Sequence, residues 1–245
     1  MSTDASILVI RKPGTFDAEL RDAGFVVENL ELVVSKPLAD QSELKQRLQI
    51  GYDGIFVTSG VAAAVLAEHF VPRNGNRPII YVLGRRSFEI LENMPAKLAY
   101  RPEANTADEL ITMFGADEFE GKRLLYVRGN RSMNTILERL SGRATVDEVV
   151  VYETRAAEPD KDRVANIKKA FASDKFQWVC FFSPSGVEAF MDVFSSIVSN
   201  RLKAAAIGTT TAESVREAIL DLEFVAERAD SREFARGLAD HISNG

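Results

Sequence analysis

Five short stretches of the chain pair small residues with hydroxyls, arginine or both in a way suited to binding anions. They are Arg11-Lys12-Pro13-Gly14-Thr15, Thr58-Ser59-Gly60, Arg128-Gly129-Asn130-Arg131, Ser183-Pro184-Ser185-Gly186 and Gly208-Thr209-Thr210-Thr211. Each follows a short apolar run and opens a segment of helical period, so each reads as a strand-to-helix turn. The first N–H groups of a helix have no partner within it, and the helix dipole is positive there. A carboxylate or phosphate is therefore attracted without any basic side chain. Arg11 and Arg128 could add bidentate clamps for carboxylates, or could be solvated residues at strand ends. The candidate binding residues are Arg11, Thr58, Ser59, Arg128, Gly129, Asn130, Ser183, Pro184, Ser185, Gly208, Thr209 and Thr211, with Gly84 as the counterpart of Gly208 in the repeat described below. Plain helix capping competes with this reading, because Ser185-x-x-Glu188, Thr210-x-x-Glu213 and Thr106-x-x-Glu109 all have capping-box spacing. Around Thr106 nothing else suggests a site.

Other chemistries lack their residues. No GxxxxGK[ST] occurs, no GxGxxG follows a strand, and no GxSxG elbow is present, so the standard phosphate cradles and the hydrolase nucleophile are missing. The two histidines, His69 and His241, and the one cysteine, Cys180, have no metal-ligand spacing, so no metal is expected. Cys180 lies inside the apolar run Trp178-Val179-Cys180-Phe181-Phe182 and reads as a small core residue. A single cysteine also permits no internal disulfide, which suits a reducing compartment. The 245 residues carry 30 Lys plus Arg against 36 Asp plus Glu, a net charge of −6, which argues against a nucleic-acid partner. No apolar run approaches the ~18 residues of a membrane span, and Met1 to Ser6 lacks the features of a signal peptide. A cytoplasmic protein with no membrane or nucleic-acid partner is the expectation.

The elements that must hold these turns alternate. Ile7 to Ile10, Gly54 to Thr58, Ile79 to Leu83, Leu124 to Val127, Trp178 to Phe182 and Ala204 to Ile207 are strand-length and apolar without clean alternation, as buried parallel strands are. Between them run helical stripes such as Met133, Ile136, Leu137, Leu140 and Val187, Phe190, Met191, Phe194. The pattern predicts an α/β fold with parallel sheets. It is also duplicated. Asp53 to Ser59 and the helix after it match Gln177 to Ser183 and its helix, and Ile79 to Gly84 matches Lys203 to Gly208. Ser59 and Gly84 stand 25 residues apart, as do Ser183 and Gly208.

The second copy lacks room for an opening unit unless it borrows the N-terminal strand and helix, Ile7 to Ile10 and Thr15 to Ala23. The expected organisation is therefore a discontinuous α/β domain of residues 1–33 and 156–245 with a similar domain, 37–147, inserted in it. Leu30 to Val34 and Val146 to Glu153 are rich in strand-favouring valines. They are expected to form a two-stranded β connector, about 30–36 and 146–155, on which the domains hinge. Polar turns facing one another from two domains would make a cleft for a large polyanion.

In order and spacing, the opening strand ending in Arg11, Asp53-Gly-Ile-Phe-Val-Thr-Ser59, Leu124-Leu-Tyr-Val-Arg128-Gly129, Val151-Tyr152-Glu153-Thr154, Phe181-Phe-Ser183-Pro184-Ser185-Gly-Val187 and Ile207-Gly208-Thr-Thr-Thr211-Ala212 together resemble the uroporphyrinogen-III synthase family. The chain departs from that pattern at Gly60-Val61-Ala62, where relatives often carry a more polar turn. The resemblance implies two α/β domains joined by a β-ladder. It implies a linear tetrapyrrole substrate, hydroxymethylbilane, closed with loss of water and inversion of ring D through a spiro intermediate, without metal or cofactor. Tyr152 matches the family's candidate proton donor, although a tyrosine covering a connector strand is an equal alternative. The implied state is a monomer, with room for transient contact with hydroxymethylbilane synthase. A non-catalytic two-domain binding protein for a small polyanionic ligand is the alternative from another class.

Overall fold

The central strands are apolar on both sides, and the two sides become separate cores. A computed structural model describes residues 5–72, 77–198 and 201–244. Met1 to Asp4, part of the stretch read for a signal peptide, lie outside the described residues. The chain divides into two compact units, Met1–Val34 with Arg155–Gly245, and Ser35–Thr154.

In the first unit, β1 (Ser6–Val9), α1 (Thr15–Asp22) and β2 (Val26–Asn29) open the chain. The chain crosses into the second unit within β3 (Val33–Pro37) and continues with α2 (Ser42–Arg47), β4 (Gly54–Val57), α3 (Gly60–His69), β5 (Ile79–Val82), α4 (Arg85–Leu91), β6 (Lys97–Tyr100) and α5 (Ala107–Phe114). A 3-10 turn at Ala116–Phe119 leads to β7 (Arg123–Gly129), α6 (Thr135–Leu140) and β8 (Thr145–Ala156). The first unit resumes with α7 (Lys161–Ala172), β9 (Trp178–Phe181), α8 (Pro184–Phe194), β10 (Lys203–Ala206), α9 (Thr209–Glu217), β11 (Asp221–Val225) and α10 (Ser231–Asn244).

The first unit has the sheet order β11-β10-β9-β1-β2, with every pair parallel. Leu8, Val179, Phe181, Ala204 and Ala206 pack into one core on one face, while Ile7, Val9, Trp178, Cys180 and Ala205 pack into another on the opposite face. Burial on both faces explains why these strands read as unbroken apolar runs. Cys180 is fully buried, and desolvation pushes its thiol well above the ordinary range.

The second unit has the order β3-β8-β7-β4-β5-β6. β4 is parallel to β5 and β7, β5 to β6, and β7 to β8. Ile55, Val57, Ile80, Val82, Leu125 and Val127 face one core; Phe56, Tyr81, Leu124 and Tyr126 face the other.

The expected connector differs in part. Val146 to Tyr152 runs in parallel register with β7 over Leu124 to Gly129, so this segment is a full strand of the six-stranded sheet and not a free ribbon. Its valines are why: Val149 and Val151 enter the core of that sheet. β3 lies on the outer side of β8, with Leu38 N–H donating to Val151 O at 3.0 Å. Leu30 and Leu32, read as part of the crossing, are buried in the core of the first unit. Among the described residues no helix is long and apolar enough to cross a membrane.

Candidate active site

Ligands of open α/β sheets bind outside the carboxyl ends of the strands where chain order reverses between neighbouring parallel strands, and each sheet has such a point. In the first unit the reversal lies between β1 and β9, whose turns carry Arg11 and Ser183; the turn after β10, which lies beside β9, carries Gly208. In the second it lies between β4 and β7, whose turns carry Thr58 and Arg128, flanked by Gly84 after β5 and Tyr152 on β8. All the candidate residues are thus carried at the carboxyl ends of adjacent strands, in two sets, one per unit.

The repeat becomes structural at the caps. Ser59 caps α3 by accepting from Ala62 N–H at 3.2 Å, and Ser183 caps α8 by accepting from Gly186 N–H at 3.2 Å. Gly84 and Gly208 are the N-caps of α4 and α9, neither with a side-chain cap. The expected boxes at Ser185 and Thr210 are corrected by this. Proline fits the first turn of a helix, so α8 starts at Pro184 and its cap is Ser183, two residues ahead of Ser185. Extended Gly208, with φ 176°, is the cap of α9, which puts Thr210 inside the helix. Thr106 does cap α5, accepting from Glu109 N–H at 3.1 Å, while Glu109 Oε2 accepts from Asn105 N–H at 2.7 Å.

The two helix starts therefore offer different numbers of donors. In α8, Pro184 has no N–H and Gly186 donates to Ser183. In α9, Thr209, Thr210 and Thr211 follow a cap that has no side chain. Thr211 is itself buried, at 4% exposure, so this turn presents backbone in preference to that hydroxyl. Ser183 and Ser185 hydroxyls lie 3.1 Å apart.

Arg11 lies with its guanidinium 3.9 Å from the centroid of the Phe182 ring, and Nη1 donates to Ser231 Oγ at 3.2 Å. Stacking fixes the plane of a guanidinium, as bidentate recognition requires. Its turn is set from below. Asp17, fully buried, accepts from Gly14 N–H at 2.7 Å and from the amide of Asn29. Asn29 Nδ2 also donates to Arg11 O at 3.3 Å.

Arg128 is buried and engaged by its own unit. Nη1 donates to Asn134 Oδ1 at 3.0 Å and to the Glu148 carboxylate, Nη2 to Ser132 O, and Nε to Gly129 O at 3.4 Å. The carboxylate it clamps is internal, which makes it the anchor of the Gly129–Asn134 turn; the sequence reading of an open clamp is corrected on that ground. Beside it, Thr58 Oγ1 and the Tyr126 hydroxyl stand 3.2 Å apart across the reversal point, and burial pushes the Tyr126 phenol above its ordinary range.

Tyr152 packs with its ring in the core shared by Val149 and Val151 and is 9% exposed. Among the described residues its hydroxyl has no hydrogen-bond partner, and no buried side-chain oxygen goes unpaired, so this hydroxyl reaches solvent. A fixed ring with an available hydroxyl is what a proton donor needs.

Sequence reasoning missed Tyr126, Glu148, Asp17 and Asn29. Period-two spacing from Arg128 marks Tyr126 as its neighbour on one strand face, and Asp17 has capping-box spacing from Gly14. Glu148 and Asn29 reach their partners only through sheet pairing and gave no local signal.

These features define a class: a duplicated α/β protein with polar turns at the carboxyl ends of two mainly parallel sheets. The profile of the family described as uroporphyrinogen-III synthase HemD matches residues 14–235. A uroporphyrinogen-III synthase of Chlorobaculum parvum is 26% identical over 199 residues, covering 78% of this chain and 80% of that protein. A porphyrin biosynthesis protein HemD of Ruminiclostridium josui is 23% identical over 185 residues, 70% of this chain and 36% of that one. Among solved structures, a mutant uroporphyrinogen III synthase of Thermus thermophilus aligns over 98% of this chain and 100% of its own, with a TM-score of 0.66 at 15% identity. Uroporphyrinogen-III synthetase of Helicobacter pylori aligns over 96% and 98%, with a TM-score of 0.60 at 18% identity. The chain belongs to the uroporphyrinogen-III synthase family and is an enzyme of that type.

Proposed function

We propose that this enzyme closes hydroxymethylbilane to uroporphyrinogen III, removing water and inverting ring D through a spiro intermediate. The observation that carries the proposal is the gathering of the polar turns at the reversal points of both sheets, in a chain of this family. The substrate bears several carboxylates, and the turns supply N–H groups and Arg11 for them. Held at these turns, the substrate would be constrained so that the substituted carbon of ring D meets the activated terminal carbon. Orientation of this kind is worth about 7–11 kcal/mol in favourable cases. The leaving hydroxyl departs as water, the C–O bond breaking with the push of the pyrrole nitrogen; Tyr152 supplies the proton. The test is to feed porphobilinogen and its deaminase to the system, add this protein, oxidise, and separate the porphyrin isomers. Isomer III should replace isomer I. An unchanged isomer I product would leave only a binding role.

If backbone groups hold the carboxylates, hydroxyl truncation matters little. Ser183→Ala, Ser185→Ala and Thr211→Ala should each change KM by less than about threefold, with a capping loss of about 1 kcal/mol at Ser183. Thr209→Pro should do more. Pro184 occupies the matching first position of α8, and extended Gly208 accommodates a following proline, so the helix should survive while one N–H disappears. One lost hydrogen bond to a charged group predicts a KM rise of roughly tenfold. An unchanged KM beside an intact circular-dichroism spectrum would exclude this turn as a carboxylate site.

A further inference from the structure

Tyr152 sits where strict strand alternation would not put it. Val149 and Val151 of β8 face the core and Val150 is exposed, so residue 152 should share the outward face of Val150. Yet Val151 and Tyr152, consecutive residues, are buried in the same core. The pairing with β7 explains it: the register shifts between Arg128, opposite Val150, and Gly129, opposite Tyr152. One residue of β8 is thereby left over, and such a bulge re-aims the side chain that follows.

Two neighbours hold the re-aimed ring. Gly129 has no side chain, and a Cβ there would overlap the Tyr152 ring and lie 2.8 Å from its hydroxyl oxygen. The bare backbone of Gly129 is the surface against which the ring rests. Asn130 then resumes the interrupted ladder. Its N–H donates to Tyr152 O at 3.1 Å, its Oδ1 accepts from Thr154 N–H at 2.8 Å, and its Nδ2 lies 3.5 Å from Thr154 O. The side-chain amide thus stands in for a peptide group of the missing strand partner and holds both backbone groups of Thr154.

We propose that Gly129 and Asn130 are positioning residues for Tyr152, fixing where its hydroxyl meets the substrate, and that the Asn130 amide is not itself a substrate ligand. The catalytic consequence rests on the reading of Tyr152 as proton donor; the geometric claim does not. Asn130→Ala keeps the backbone N–H and alters an exposed side chain, so the fold should persist. It should lower kcat about tenfold with KM changed less than twofold, and Asn130→Asp, which keeps the acceptor for Thr154 N–H, should recover most of the rate. In a Tyr152→Phe background, Asn130→Ala should remove nothing further.

A second readout is independent of turnover. In protein labelled with 3-fluorotyrosine, the five tyrosines give separate fluorine signals, and the one missing from Tyr152→Phe is that of Tyr152. Asn130→Ala and Gly129→Ala should each shift that signal. A signal unmoved in Asn130→Ala overturns the positioning claim, as does a KM rise that persists in the Tyr152→Phe background, which would make the amide a ligand. Should Tyr152→Phe retain full turnover, the donor reading falls while the fluorine shift still decides the positioning.

Discussion

Asp17→Ala is expected to destabilise the unit that contains it by about 2–4 kcal/mol and to weaken substrate binding through Arg11. The carboxylate is fully buried and accepts from Gly14 N–H at 2.7 Å and from the Asn29 amide. Removing it leaves two donors without that acceptor, and each such loss costs roughly 1–3 kcal/mol when burial keeps water out. Gly14 is exposed enough for solvent to compensate in part, which places the total below the sum of two full penalties. Asn29 is the junction: its Oδ1 accepts from Arg21 Nη2 at 3.2 Å, its backbone carbonyl accepts from Arg163, and its Nδ2 holds Arg11 O at 3.3 Å. Loss of Asp17 therefore loosens the Arg11 turn from α1, β2 and α7 together. The urea midpoint of Asp17→Ala reads the first effect and KM the second. Asn29→Ala should overlap with it, so that the double variant loses less than the two single losses combined. An unchanged midpoint would show that the network is dispensable.

The parallel sheets were readable because helices cover both of their faces. Runs such as Ile7-Leu8-Val9 and Trp178-Val179-Cys180 are apolar at every position because odd and even residues enter different cores. The duplication was readable because Ser59 and Ser183 do the same physical work at the starts of α3 and α8, as Gly84 and Gly208 do at α4 and α9. What stayed hidden depends on pairing across the sheet. Nothing within a few residues of Arg128 shows that Glu148 will occupy its guanidinium, because β7 and β8 must first align. Val146 to Tyr152 looked like a crossing segment because its valines suit any strand, and only the register with β7 makes it a sheet member. The bulge that turns Tyr152 inward likewise has no sequence signature: Val-Val-Val-Tyr reads as simple alternation.

Tyr152→Phe should cost activity and almost no stability. The ring, its contacts with the core and its rest against Gly129 all survive the change. The hydroxyl that is lost has no protein partner among the described residues, so the folding free energy should stay within about 0.5 kcal/mol of the parent. Turnover is another matter. Help from a positioned acid is typically worth about a hundredfold to ten-thousandfold. In the proposed reaction the pyrrole nitrogen of the substrate already drives ionisation, and water can take over some of the proton transfer at a hydroxyl that solvent reaches. A loss close to a hundredfold is the expected result. If, as proposed, the turns and not the phenol orient ring D, the product should remain isomer III. Turnover and isomer ratio of the folded variant beside the parent check both statements. Full turnover would return Tyr152 to a packing role, whereas a slow enzyme that releases isomer I would make the hydroxyl a group that positions the substrate and would end its assignment as proton donor.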